Sequence, residues 1–319
     1  MTELPDHPFL YADLDRLGIS RHRLDRLVAD GVVRRVLRSV YCRADLPDSF
    51  DLRVQCAGLV LPPHAVLCDR SAAWLWGVDC FDYAEHEFLP RLEFVSVDGK
   101  DRIRRGEVYG GKRDLRDDEI CTINGVRVTT PLRTACDLAS LHGRNAALAI
   151  YDAFRREHGL TCADYERMLL RFRGRRGVVQ ARELAPYAVA SSESPGESWT
   201  RMVISDAGLR APTPQVWVHV PGYGWVRLDL AYEHLRIAIE YDGEEHHTTD
   251  ADRARDEERR DALRRAGWVV IVVRKTDFTG QTSERWLTEL REALDERVPA
   301  YRRRYSRGAA WDPRSRRRG

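Results

Sequence analysis

Apolar positions recur along this chain with two periods, and the switches between them mark its elements. Phe9 to Leu17 has helical spacing and ends at Gly18. Ser20 is a good N-cap for a second helix from Arg21 to Asp30, closed by Gly31, with Leu24, Leu27 and Val28 as its apolar stripe. Two short strand-like runs follow, Val32 to Val36 and Ser39 to Cys42. Farther on, Ala65 to Trp76 holds a short buried helix around Ser71 to Trp76, and Phe94 to Val97 and Val108-Tyr109 read as strands. Ile123-Asn124-Gly125-Val126 is a two-residue hairpin signal. Thr130-Pro131 opens a helix through Leu141, with proline at the first helical position; helices follow at about residues 146–157 and 163–171.

Ala185 to Gly196, with two Pro and four Ser or Glu, reads as a linker. Beyond it the pattern predicts a helix over 197–207, strands over 215–220, 225–232 and 235–241, a helix over 251–266, a strand over 268–273 and a helix over 282–297. The chain is therefore expected to be an α/β multi-domain protein. Its segments are a helix, turn, helix and basic hairpin over 1–48, an α+β middle region over 49–190, an α-βββ-α-β domain over 191–298 and a disordered basic tail over 299–319.

The third segment carries the candidate chemistry. Asp229 lies inside the strand Arg227-Leu228-Asp229-Leu230-Ala231-Tyr232, and Glu240 and Asp242 lie in Ile237-Ala238-Ile239-Glu240-Tyr241-Asp242. Side chains alternate along a strand, so Asp229 is expected on the face of Arg227 and Ala231, opposite Val226, Leu228 and Leu230. Glu240 and Asp242 share the face of Ala238, opposite Ile237, Ile239 and Tyr241. Like charges on neighbouring strands repel, and a divalent cation between them is the simplest remedy. Glu197 opens the preceding helix, where an acid is also favoured by the helix dipole alone. Asp242-Gly243 could instead end a strand in a turn, and His246-His247 could be solvated loop residues. Arg255 and Arg259 fall in line with Ala262, Leu263 and Ala266, a stripe that should face the sheet and bring both guanidinium groups to the acids.

The ordered series Glu197, Asp229, Glu240-Tyr241-Asp242 resembles the PD-(D/E)XK nuclease superfamily. The longer string through Gly243-Glu244-Glu245-His246, Arg255, Arg259 and Gly267-Trp268-Val269 is similar to a bacterial domain related to very-short-patch repair endonucleases. The resemblance implies a restriction-endonuclease-like fold that cleaves DNA phosphodiesters with Mg2+ or Mn2+. It implies Asp229, Glu240 and Asp242 as metal ligands, aided by the Tyr241 carbonyl and Glu197, with His246 in proton transfer. Asp242 stands where the family usually has lysine, and Arg259 is the cation best placed to stand in for it. Leu17-Gly18-Ile19-Ser20, Leu24 to Gly31 and Arg34 to Tyr41 resemble the winged helix-turn-helix of AbiEi-type antitoxins, in which glycine is usual at the position of Ser39. Ser71-Ala72-Ala73 and Thr130 to Leu138 resemble the segment that follows it. That resemblance implies DNA contact through Arg21, Arg23 and Arg26 at the groove and Arg34, Arg35 and Arg38 on the wing.

Composition adds limits. Net charge is only +2, yet residues 301–319 hold eight Arg against Asp312, and lysine occurs only at 100, 112 and 275. Seven scattered cysteines form no Cys-x-x-Cys pair, which argues against a zinc module or a disulfide framework and for a reducing cytoplasm. No signal peptide or membrane span is expected. Two readings stand: a metal-dependent endonuclease directed by its N-terminal domain, with DNA and a cognate toxin or defence component as partners; or a DNA-binding regulator or antitoxin whose nuclease fold is catalytically inactive.

Overall fold

A computed structural model describes residues 4–81, 85, 90–243 and 250–298. His246, His247 and the basic tail lie outside the described residues. The chain forms two compact units, residues 1–137 and 138–319. It is a mixed α/β protein, with three sheets among the described residues.

The first unit begins with a sheet of β1 (Phe9–Leu10), β2 (Val33–Leu37) and β3 (Val40–Arg43), in the order β1-β3-β2. The helix expected over Phe9 to Leu17 is not formed. Phe9 and Leu10 pair with Tyr41 and Val40, and only a 3-10 turn, Tyr11–Asp13, follows. Phe9 stacks on Tyr41 with ring centroids 6.1 Å apart. Sheet pairing thus claims a segment too short to sustain a helix nucleus of its own. The helix α1 (Arg21–Ala29) is capped as expected, the Ser20 hydroxyl accepting from the Arg23 amide at 3.2 Å. Leu24 packs with Phe9, Leu14, Ile19 and Val33. Ser39, in the turn between β2 and β3, has φ +69°, the left-handed region where glycine is free of strain.

Next come α2 (Phe50–Val60), β4 (Ala65–Leu67), α3 (Asp69–Leu75), β5 (Leu92–Ser96), β6 (Val108–Lys112), β7 (Ile120–Ile123), β8 (Val126–Thr129) and α4 (Pro131–Leu141). The strands make one sheet in the order β6-β5-β4-β8-β7. Beside it lies a charged network. Arg133, wholly buried on α4, donates to Asp137 and Glu119, each at 2.7 Å, and Arg113 donates to Asp69 at 2.7 Å and Asp137 at 3.0 Å.

The second unit sets the helices α5 (Arg144–His158), α6 (Cys162–Leu169) and α7 (Val178–Leu184) before α8 (Pro195–Asp206). The stretch 185–196, read from sequence as a linker, is packed: Ala185, Ala188 and Ser192 are buried. Asp152 of α5 accepts from the Val189 amide, from the Ser198 hydroxyl and from Arg201. That buried acid ties the helical layer to α8, so its small residues serve close packing rather than slack.

The sheet of this unit contains β9 (Thr213–Val220), β10 (Gly224–Tyr232), β11 (Ile237–Asp242) and β12 (Val269–Arg274), in the order β12-β11-β10-β9. The first three are antiparallel, and β12 runs parallel to β11. Between β11 and β12 comes α9 (Asp250–Arg265); α10 (Gly280–Arg297) follows β12. Leu230, Tyr232, Ile237 and Ile239 pack with Ile204 of α8 and Trp286 and Leu290 of α10. Val218, Val226, Leu228, Ala231 and Ala238 pack with Ala262 and Leu263 of α9.

Simple alternation would place Leu228 with Leu230 and against Ala231. The structure instead puts Leu228 with Ala231, so the two faces exchange at Asp229. The residue in register with Asp229, Gln215, has φ +55°. This backbone irregularity interrupts the ladder between the Leu228–Val216 and Leu230–Pro214 pairs.

Candidate functional site

The N-terminus of α8 supplies the first acid. Ser194 caps the helix, its hydroxyl accepting from the Glu197 amide at 3.2 Å and donating to Glu197 Oε1 at 2.9 Å. Glu197 Oε2 accepts from the Glu193 amide at 3.0 Å and from Gln215 Nε2 at 2.8 Å. Glu197 is therefore both a helix-capping acid and a buried carboxylate aimed at the sheet. Gly196 makes this approach possible: a Cβ there would lie 2.2 Å from the Tyr241 ring.

Asp229 is the centre of the cluster. Its Oδ2 accepts from the Tyr241 amide at 3.0 Å, and the regular β10–β11 pairing stops one residue short of it, at Leu230 and Ile239. Burial first, and then the charges of Glu197 and Glu240, push its carboxyl up to about 7. The Tyr241 amide and Arg259 oppose that rise without cancelling it. Glu240 is buried, and Arg259 holds both of its oxygens, at 2.8 and 2.9 Å. Arg260 reaches Glu240 at 3.5 Å and Asp242 at 3.2 Å, and Arg274 comes within 4.0 Å of Asp242.

Sequence reasoning thus finds Glu197, Asp229, Glu240, Asp242 and Arg259 in one neighbourhood. It also places Arg255 beside Arg259, but Arg255 is exposed, and the second guanidinium at the cluster belongs to Arg260. Among the described residues, no group of three or more His, Cys, Asp or Glu stands in a ligating arrangement: Glu240 and Asp242 face arginines. His246 lies outside the described residues. Lys275 is exposed in the turn after β12.

Gln215 is the residue that sequence reasoning missed. Its Nε2 must face the acceptor Glu197, which fixes the amide's orientation, and its Oε1 is then buried with no hydrogen-bond partner. The available signal was an amide immediately before the strand run Val216-Trp217-Val218-His219-Val220.

In the first unit, Arg21, Arg26, Arg35 and Arg38 are exposed and Arg23 is half-buried. Arg34 donates to the Leu46 carbonyl at 3.0 Å and lies 3.7 Å from Asp48, so it is committed within the fold. Among the described residues no helix is long and apolar enough to cross a membrane.

Comparison with known proteins gives separate family matches along the chain. Residues 3–44 match the family described as transcriptional regulator, AbiEi antitoxin, and residues 64–187 match the AbiEi antitoxin C-terminal domain. Residues 204–294 match REase_MTES_1575, a restriction-endonuclease-like family. Two uncharacterized proteins of Mycobacterium tuberculosis, MT2308 of strain CDC 1551 and Rv2248 of strain H37Rv, are each 33% identical over 256 residues, covering 80% of this chain and 90% of the relative. The chain belongs to the family of these mycobacterial proteins, with AbiEi antitoxin domains in its N-terminal part and a restriction-endonuclease-like domain at its C-terminus.

Proposed function

We propose that this protein is a cytoplasmic, metal-dependent DNA endonuclease whose N-terminal antitoxin-type domain brings it to duplex DNA. The observation that carries the reading is the convergence of Glu197, Asp229 and Glu240 from a helix and two adjacent strands, the two strand acids lying within residues 204–294 matched by a restriction-endonuclease-like family. Residues 9–43 then act as a winged helix, with Arg21, Arg23 and Arg26 at the groove and Arg35 and Arg38 on phosphates. The α-βββ-α-β segment from α8 to β12 is the nuclease core.

The donor set fits Mg2+ or Mn2+: it is all oxygen, it carries more negative charge than Arg259 and Arg260 offset, and the Gln215 Oε1 beside it lacks a partner. Asp229 and Glu240, with Glu197 nearby, would hold the cation, which supplies charge neutralisation at the phosphate and an acidified water. Arg259 is fixed by Glu240 and contributes a permanent positive charge for the phosphorane; it cannot act as a base at neutral pH. Arg260 draws Asp242 away from that task and orients α9 over the strand.

The deciding experiment incubates the purified chain with supercoiled plasmid, with and without Mn2+. Nicking that requires Mn2+ and is lost in Asp229→Asn is expected. No cleavage, together with a melting temperature indifferent to Mn2+, would overturn the reading. One observation favours a second reading, an antitoxin-type regulator with an inactive nuclease fold: Glu240 and Asp242 already have arginine partners. That reading predicts duplex binding without cleavage, and a toxin partner encoded alongside.

A further inference from the structure

The two strands that carry Gln215 and Asp229 continue outward into a surface that the acid cluster does not use. There Trp217 and Trp225 are 58% and 68% exposed, although indoles are among the side chains that gain most from burial. They stand on facing strands. Trp225 pairs across the ladder with His219, and Trp217 with Arg227. His219 meets the Trp225 ring edge-on at 5.5 Å, and the Arg227 guanidinium lies 5.9 Å from the centre of the Trp217 ring. Val218, Val226 and Leu228, which alternate with these residues, are buried in the core beneath α9, so all four side chains project from the opposite face.

This face leads to the acids at the start of α8, while Glu240 and Asp242 lie on the α9 face with Ala238. Gln215, two residues before Trp217, bonds Glu197, and Arg227 bonds Glu193 through two contacts of 2.7 Å. Trp225 precedes Asp229 by four residues, about 13 Å of strand. That is the length of about four stacked nucleotides.

We propose that Trp217 and Trp225 form a stacking ledge for unpaired nucleobases, which holds a single-stranded stretch of DNA along this face of the sheet, toward Glu197 and Asp229. The proposal rests on the nuclease reading for the identity of the polymer, but not for the ledge itself. Flat, solvent-facing indoles offer nothing to the outside of a duplex, which presents phosphates and base edges. They match the faces of bases that have left the stack. Arg227 and His219 add a cation and a donor beside the rings. The Arg227–Glu193 pair is exposed on both sides, so a phosphate can take the place of the carboxylate at little cost.

The test uses the full chain in EDTA, so that binding is read without cleavage. Fluorescence anisotropy compares a single-stranded 12-nucleotide DNA, an oligomer of the same length and charge with abasic sites at its centre, the corresponding RNA and the duplex. Trp217→Ala/Trp225→Ala should weaken single-strand binding by about tenfold or more and leave duplex binding unchanged. Abasic sites should weaken wild-type binding by a similar factor, and Trp217→Phe/Trp225→Phe should recover most of the loss. Melting curves confirm that both variants fold. Equal binding of intact and abasic oligomers, equal binding by wild type and the alanine pair, or no single-strand binding at all would overturn the ledge. RNA binding tighter than DNA would overturn the choice of polymer. Loss of plasmid cleavage with the ledge intact would instead count against the nuclease reading.

Discussion

In the first unit Arg133 and Arg113 bridge Asp69, Glu119 and Asp137; in the second, Arg259 and Arg260 face Glu240 and Asp242 while Asp229 and Glu197 stand close by without an arginine of their own. The first network sits inside hydrogen bonds of 2.7 to 3.0 Å that join α3, α4 and the stretch before β7. It organises a core, and each of its three acids has an arginine partner. The second leaves Asp229 between two like charges, and burial adds to the penalty. The strained cluster is where the proposed cation would act, whereas the network in which every acid has an arginine is a fastening.

The largest effect expected is at Asp229. Asp229→Asn should remove Mn2+-dependent plasmid nicking altogether while stabilising the unligated protein at alkaline pH. The folded carboxyl lies at about 7 against an ordinary 3.8, so the folded state holds its proton longer than the unfolded chain does. Stability of the unligated wild type should therefore fall as pH rises from about 4 to 7, by about 2–4 kcal/mol, and the asparagine variant should lose that slope. Denaturant melts at pH 5 and pH 8 measure it. A wild type equally stable at both would show that Asp229 is as comfortable as the acids around Arg133.

Next in size is Arg133→Met. It leaves Glu119 and Asp137 buried without their shared cation, and should cost about 3–5 kcal/mol by urea melting. A loss below about 1 kcal/mol would erase the contrast from the other side. Arg259→Ala should slow cleavage by about a hundredfold or more, as expected for losing one preorganised charge, while Lys275→Ala leaves the rate unchanged. The reverse outcome would mean that the lysine after β12, not the arginine of α9, serves the phosphate. The smallest effect is at Gln215. Gln215→Ala should weaken Mn2+ binding by about tenfold, measured calorimetrically with unchanged urea stability. Unchanged affinity would confine the amide to bracing Glu197.

Much of the second unit was legible because its signals are local. Alternating apolar strands, a capped helix start and the acids within them can each be read from a few neighbouring residues. The arginines of α9 show the limit: helical spacing placed Arg259 correctly, but neighbouring Arg260 also reaches the sheet because its long side chain can bend around the helix. The exchange of faces at Asp229 was not legible, since it depends on the backbone of Gln215 on another strand. In the first unit α2 escaped notice because its buried Phe50, Leu52, Val54 and Cys56 alternate like a strand, while the helix is buried on more than one side. The strand β1 escaped because two residues carry no periodicity, and its pairing partner lies some thirty residues on.

Gly196 and Tyr241 stand in a relation that no single-site comparison among relatives would expose. The missing side chain before Glu197 is filled by the ring of Tyr241, the residue that separates the two acids of β11 in sequence. The distance from the helix to the strands is thus recorded twice in the sequence, once as Pro195-Gly196-Glu197 and once as Glu240-Tyr241-Asp242. Across relatives these two triplets should vary together: a bulkier residue at the glycine calls for a smaller one at the tyrosine. A chain that enlarges one without shrinking the other should have its helix acid displaced from the strand acids, even with every carboxylate intact.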